Sequence, residues 1–205
     1  GVNAGKLIAS GGNFNVAVGD EAGTAINTGD NNIAIGYAAG DAINTGSLNT
    51  YVGSNAGSAT TSVSNNTAVG AFAFDAGTGA DNTAVGSGAL GGSSNSGAGN
   101  VAMGKNAGNA VTTGAENTLI GGLAGDATDD GVRNVAVGYL SLSANCGDNN
   151  TAVGTQALQA YTGSDSTAVG YAALNVATGT LNTAVGKFAG LAIEGGTHNT
   201  MIGAL

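Results

Sequence analysis

The chain has 205 residues, a net charge of −9 and a pI near 4.1, with 39 glycines, no proline, no tryptophan and only 8% charged residues. Its four basic side chains, Lys6, Lys105, Arg133 and Lys187, are too few and too scattered to cover phosphates, which argues against nucleic acid as a partner. The glycine content is far above the roughly 7% of ordinary proteins, without a three-residue period and alongside 42% hydrophobic residues, which excludes both a collagen helix and a disordered tail.

Aromatic residues make up only 4% of the chain, so any interior must be thin and built from Ala and Val. Cys146 is alone and can form no intrachain disulfide. No apolar run is long enough to span a bilayer, and no secretory signal is present.

From the N-terminus, one pentapeptide recurs. Asn-x-Ala-x-Gly starts at Asn15, Asn32, Asn49, Asn66, Asn82, Asn100, Asn117, Asn134, Asn150, Ser166, Asn182 and Asn199, always 16, 17 or 18 residues apart. The first position is Asn in eleven copies and the second is always β-branched, Thr in eight and Val or Ile in four. The third is Ala in nine, with Tyr51, Leu119 and Met201 as exceptions; the fourth is Val, Ile or Met; the fifth is always Gly. Three residues later comes Ala again, with Ser141 deviating. A second short apolar stretch follows, such as Ala25-Ile26, Ala42-Ile43 or Ala192-Ile193, and then a turn, often Thr-Gly.

Positions two and four point to one face of a short strand and position three to the other. The fifth-position Gly permits a positive φ or a close backbone approach, and the glycine content rules out a helix. A unit this small cannot bury its own face, so neighbouring units must stack. The prediction is an all-β parallel β-solenoid, or β-roll, of about twelve coils, forming one repetitive domain over residues 1–205. By strand spacing it would be a rod of about 55–60 Å.

The predicted ladder comprises an Asn column (Asn32, Asn66, Asn82, Asn117, Asn150, Asn182), a Val column (Val69, Val85, Val153, Val185) and a Gly column (Gly36, Gly70, Gly86, Gly154, Gly186). Stacked Asn amides bond to the copies above and below. A fully buried Val or Ile would contribute about 1.5–3 kcal/mol. The pattern allows Ala to line the lumen with Val outside, and it equally allows the reverse. At the N-terminus Gly1 sits in the phase of Gly19, with Ala4-Gly5 and Ser10-Gly11 keeping the spacing of the next coil. The chain stops two residues past Gly203 without a cap at either end. That predicts a slice of a longer array, or a unit that stacks end to end.

The phrase Asn32-Ile33-Ala34-Ile35-Gly36-Tyr37-Ala38-Ala39 resembles the head repeats of trimeric autotransporter adhesins, and the Asn-Thr-Ala-Val-Gly copies resemble the shafts of phage tail fibres. The resemblance covers essentially the whole chain. It implies a left-handed β-roll, a homotrimer, and an extracellular, cell-surface or virion location. The coils here are longer than those of the adhesin heads and vary in length.

Chemistry has little footing. The single histidine, His198, lies in a turn, and Cys146 stands where a turn Thr stands elsewhere, with no catalytic partner in register, so no enzyme is expected. Gly91-Gly92-Ser93-Ser94 is followed by neither a helix nor a Lys and is no phosphate loop. Asp30, Asp129, Asp130 and Asp148 supply turn oxygens that suit Ca²⁺, but Asp does not recur in one column of every coil, so solvated carboxylates are the expectation and no cofactor is predicted. Tyr37, Tyr139 and Tyr171 each follow a motif Gly and are candidates for contact with a glycan or protein on a host surface. The Thr/Val face suits packing against another chain. Facing water instead, it would be the ordered array of an ice-binding solenoid. The expectation is therefore a structural or adhesive fibre segment, with an ice-binding solenoid and a self-stacking filament subunit as the alternatives.

Overall fold

A computed structural model describes residues 1–8, 11–92, 94–191 and 193–204. The expectations that involve Ser10, Ser93 and Ala192 lie outside the described residues. Twelve three-residue strands follow one another: β1 (Val16–Val18), β2 (Ile33–Ile35), β3 (Thr50–Val52), β4 (Thr67–Val69), β5 (Thr83–Val85), β6 (Val101–Met103), β7 (Thr118–Ile120), β8 (Val135–Val137), β9 (Thr151–Val153), β10 (Thr167–Val169), β11 (Thr183–Val185) and β12 (Thr200–Ile202). They form one parallel sheet in sequence order, each strand paired only with its chain neighbours. The register is that of the repeat, so Thr151, Thr167 and Thr183 stand in line, as do Val153, Val169 and Val185. The chain is a β-solenoid whose coils are numbered below by their strands.

Each strand ends at the motif Gly because that residue takes a φ between +129° and +141° in every coil. A Cβ on Gly104 would overlap the carbonyl of Gly121 in the coil above, so only glycine lets consecutive coils approach to strand spacing here. Past the bend the chain makes two i+3 turns, such as Ala39 N to Gly36 O (3.5 Å) and Ile43 N to Gly40 O (3.2 Å). The second apolar stretch is therefore a turn, and the solenoid has one sheet.

The interior is filled by small residues. Third-position Ala34, Ala68, Ala84 and Ala152 are fully buried, and so are the later alanines Ala39, Ala56, Ala107 and Ala173. The remaining core volume is shared by two positions three residues apart. Where the first is Gly the second is β-branched: Gly23 with Ile26, Gly40 with Ile43, Gly108 with Val111. In two coils where the first is large the second is small, Phe74 with Gly77, where a Cβ on the glycine would land in the Phe ring, and Leu174 with Ala177, whereas Leu158 and Tyr161 are both large and both buried. The larger third-position residues obey the same accounting. The Tyr51 ring lies against Gly40 and Gly57, and Leu119 against Gly108 and Gly125. In the coils that make it, this exchange keeps the interior close-packed while the sequence varies.

The Thr and Val columns face outward. Val69 keeps 37% of its surface and Val18 54%, so the burial energy expected of the Val column is not gained within a single chain. The choice the sequence left open is settled with Ala inside.

Candidate interaction surface

The Asn column holds the coils together from within. Asn32, Asn66, Asn82, Asn117, Asn150 and Asn182 are all buried. Each side chain clamps the coil above it at two points. The Asn117 Oδ1 accepts from Asn134 N–H (2.8 Å), and its Nδ2 donates to the Gly131 carbonyl (2.8 Å). Asn32 does the same with Asn49 N–H (3.0 Å) and Gly46 O (2.8 Å). The buried amide thus satisfies backbone groups that a widened coil would leave orphaned. In the exceptional coil, Ser166 Oγ still accepts from Asn182 N–H (3.1 Å), and the Tyr161 hydroxyl fills the missing amide's place, 2.7 Å from Ser166 Oγ and donating to Ser164 O (3.0 Å).

A second ladder runs the other way in the turn just before the Asn. Asp30 Oδ1 accepts from Asn13 N–H in the coil below (2.6 Å), and Asp148 Oδ1 from Val132 N–H (2.9 Å). Asp129 accepts from the Thr112 hydroxyl. These three turn carboxylates are therefore engaged with neighbouring coils, and among the described residues no group of three or more His, Cys, Asp or Glu side chains could hold a metal. His198 takes a left-handed φ of 59° immediately before the last Asn. Cys146 is buried, its Sγ 3.8 Å from Thr128 Oγ1, and burial pushes its thiol pKa up, which makes it a packing residue rather than a nucleophile.

The outward sheet face runs the length of the twelve strands. Motif positions two and four, the first and last residues of the twelve strands, carry 24 side chains, all Thr, Val, Ile or Met, and none charged. Val69, Val169 and Val185 are 37–39% exposed, and Met103 43%. Val85 and Val153 are half-buried by their column neighbours. The glycines at 36, 70, 86, 154 and 186 end the strands along one edge of this face.

Just past that glycine edge lie the three tyrosines. Tyr37, in coil 2, stands apart from Tyr139 in coil 8 and Tyr171 in coil 10. Tyr171 meets the Phe188 ring edge-on, with centroids 5.2 Å apart and planes at 73°. Lys187 Nζ lies 5.1 Å from the Phe188 centroid and 6.0 Å from that of Tyr171. Phe188 and Lys187 were not singled out from sequence. The signal was there, since Lys187 follows Gly186 as Tyr171 follows Gly170 one coil earlier.

Two open grooves lie among the described residues. One, of about 550 Å³, is lined by Asn109, Thr112, Asp129 and Asn145, whose polar groups are largely spent on one another. No helix of the described residues is long and apolar enough to cross a membrane. Comparison with protein-family models, curated proteins and solved structures gave no match.

Proposed function

We propose that the chain is a structural and adhesive segment of an extracellular or virion fibre, in which the Thr/Val faces of three copies pack together. The observation that carries this reading is the outward sheet face: twelve strands long, in register, uncharged and half exposed. A contiguous uncharged face, two-thirds of its 24 side chains Val, Ile or Met, is a site of association. Charge favours the same surface, because copies carrying −9 each approach best through the side that carries none of it. The likeness of the repeats to adhesin heads and tail-fibre shafts points to three copies. Such a rod works mechanically and by multivalency, its coils presenting weak surface contacts many times over. The test is solution mass by light scattering across concentration. A constant mass three times the 19.2 kDa of one chain supports the reading, and a monomer at all concentrations refutes it.

A second reading draws on the same face. The in-register run Thr151, Thr167, Thr183, Thr200 forms a flat lattice of hydroxyls and methyls beside the Val column, as an ice-binding surface requires. Thermal hysteresis in a monomeric sample would favour it, and its absence would remove it.

A further inference from the structure

We propose that the ridge beside the bend glycines of coils 8 to 11 binds an uncharged, extended β-linked oligosaccharide through Tyr139, Tyr171 and Lys187. The proposal deepens the adhesive reading above by naming a ligand class.

The chain has few aromatic residues, yet it sets three of its five tyrosines in one exposed column, with Tyr139 and Tyr171 only two coils apart. Tyr139 is 53% and Tyr171 44% exposed. Two coils correspond to about 9.5 Å along the rod. That is close to one disaccharide of an extended β-linked chain. Alternate sugars in such a chain show the same face, so both rings can stack on like faces of one strand of sugar. An aromatic ring with a polar tip suits this work, its body covering the apolar C–H face and its hydroxyl reaching the sugar hydroxyls. Thr155, exposed in the coil between them, adds another hydroxyl on the same line.

The Tyr171 ring is held rather than free, because Phe188 braces it edge-on at 5.2 Å. Fixing the platform in advance removes part of the ordering cost of binding. Lys187 closes the upper end, its ammonium over the two rings and able to donate to sugar oxygens. The net charge of −9 opposes polyanionic glycans, which leaves neutral ones as the class that fits.

The test is calorimetric titration of the chain with cellohexaose and with chitohexaose. Binding to at least one is expected. Tyr139→Ala and Tyr171→Ala should each weaken it by about tenfold or more, while Tyr37→Ala, far along the column, leaves it unchanged. The variant Tyr139→Thr with Thr155→Tyr keeps both rings but sets them one coil apart, and it should bind as poorly as Tyr139→Ala. The substituted side chains are exposed, so strand circular dichroism should be retained and confirms folding. Failure of both probes to bind overturns the proposal, and so does undiminished binding by the alanine or spacing variants. Mass measured on the same samples separates this site from the fibre reading. A trimer that ignores both sugars sinks the site alone, whereas a monomer that binds them with the expected losses supports the site and removes the packing of copies.

Discussion

Replacing Asn117 by Ala removes one rung of the inner ladder, and its cost can be worked from the structure. The rung supplies an acceptor to Asn134 N–H and a donor to the Gly131 carbonyl, both at 2.8 Å, in a side chain that is 1% exposed. Alanine leaves both backbone groups without a partner in a dry interior. Each such group costs about 1–3 kcal/mol, so the loss should be about 2–6 kcal/mol. That is a large fraction of the roughly 5–15 kcal/mol that holds a typical domain folded. Equilibrium unfolding in urea measures it. Hydrogen exchange at the Asn134 amide locates it, since that N–H should lose protection first. Asn13→Ala serves as the control, because the exposed Asn13 side chain donates only to the Gly11 carbonyl and its backbone is not left-handed. If Asn117→Ala cost no more than Asn13→Ala, the clamp would not be what joins the coils.

Gly104→Ala should destabilise at least as strongly, by both backbone strain and separation of coils 6 and 7, whereas Gly122→Ala, with a negative φ and only the Tyr139 ring nearby, should be tolerated in a melting experiment. Phe74→Gly should cost about 3–5 kcal/mol through a cavity, and Gly77→Val should fail through overlap with the Phe ring. The double variant recreates the Gly108 and Val111 arrangement and should recover most of the stability, read as a coupling energy in a double-mutant cycle. Asp41 and Asp126 each bury one carboxylate oxygen without a partner, and burial raises both pKa values from the usual 3.8. A carboxyl with a raised folded pKa contributes fully below its unfolded pKa and loses that contribution as pH rises through the folded one. Melting temperature should therefore rise on acidification from pH 7 towards the unfolded value. Asp41→Asn with Asp126→Asn should stabilise at pH 7 and flatten that response. Asn109 and Asn175 hold the same column position and donate to the Gly88 and Gln156 carbonyls of the coil below (3.1 and 3.0 Å).

The strands, their register and the coil count were legible because Asn-x-Ala-x-Gly fixes a strand, its end and its partner in five residues. Which face lines the lumen was not legible. Thr-x-Val and Ala are both self-consistent linings by pattern, and only the packed coil shows that the third-position column turns inward and the Thr and Val columns outward. The turn chemistry was hidden more deeply. Phe72, Leu140 and Phe188 take left-handed φ of 57°, 54° and 60°, a conformation their bulk disfavours, imposed by the stack and paralleled by Gly88 in the same column. The trade between Phe74 and Gly77, and the replacement of a ladder Asn by Ser166 with Tyr161, are couplings between positions. A column-by-column reading averages such couplings away. The tyrosine column was readable, and Lys187 in it, but the edge-on brace from Phe188 was not, because the orientation of a ring is set by packing and not by spacing.

The most direct test of the account is the solution mass of the parent chain beside that of a variant carrying Val85→Lys and Val153→Lys. Both positions lie on the outward face of single strands, where a lysine meets solvent and disturbs no lumen packing. The account predicts a parent of three chains and a variant of one, with the strand signal retained in both. A parent that is already monomeric, or a lysine variant that keeps the parent's mass, would contradict the assignment of this face to contacts between copies.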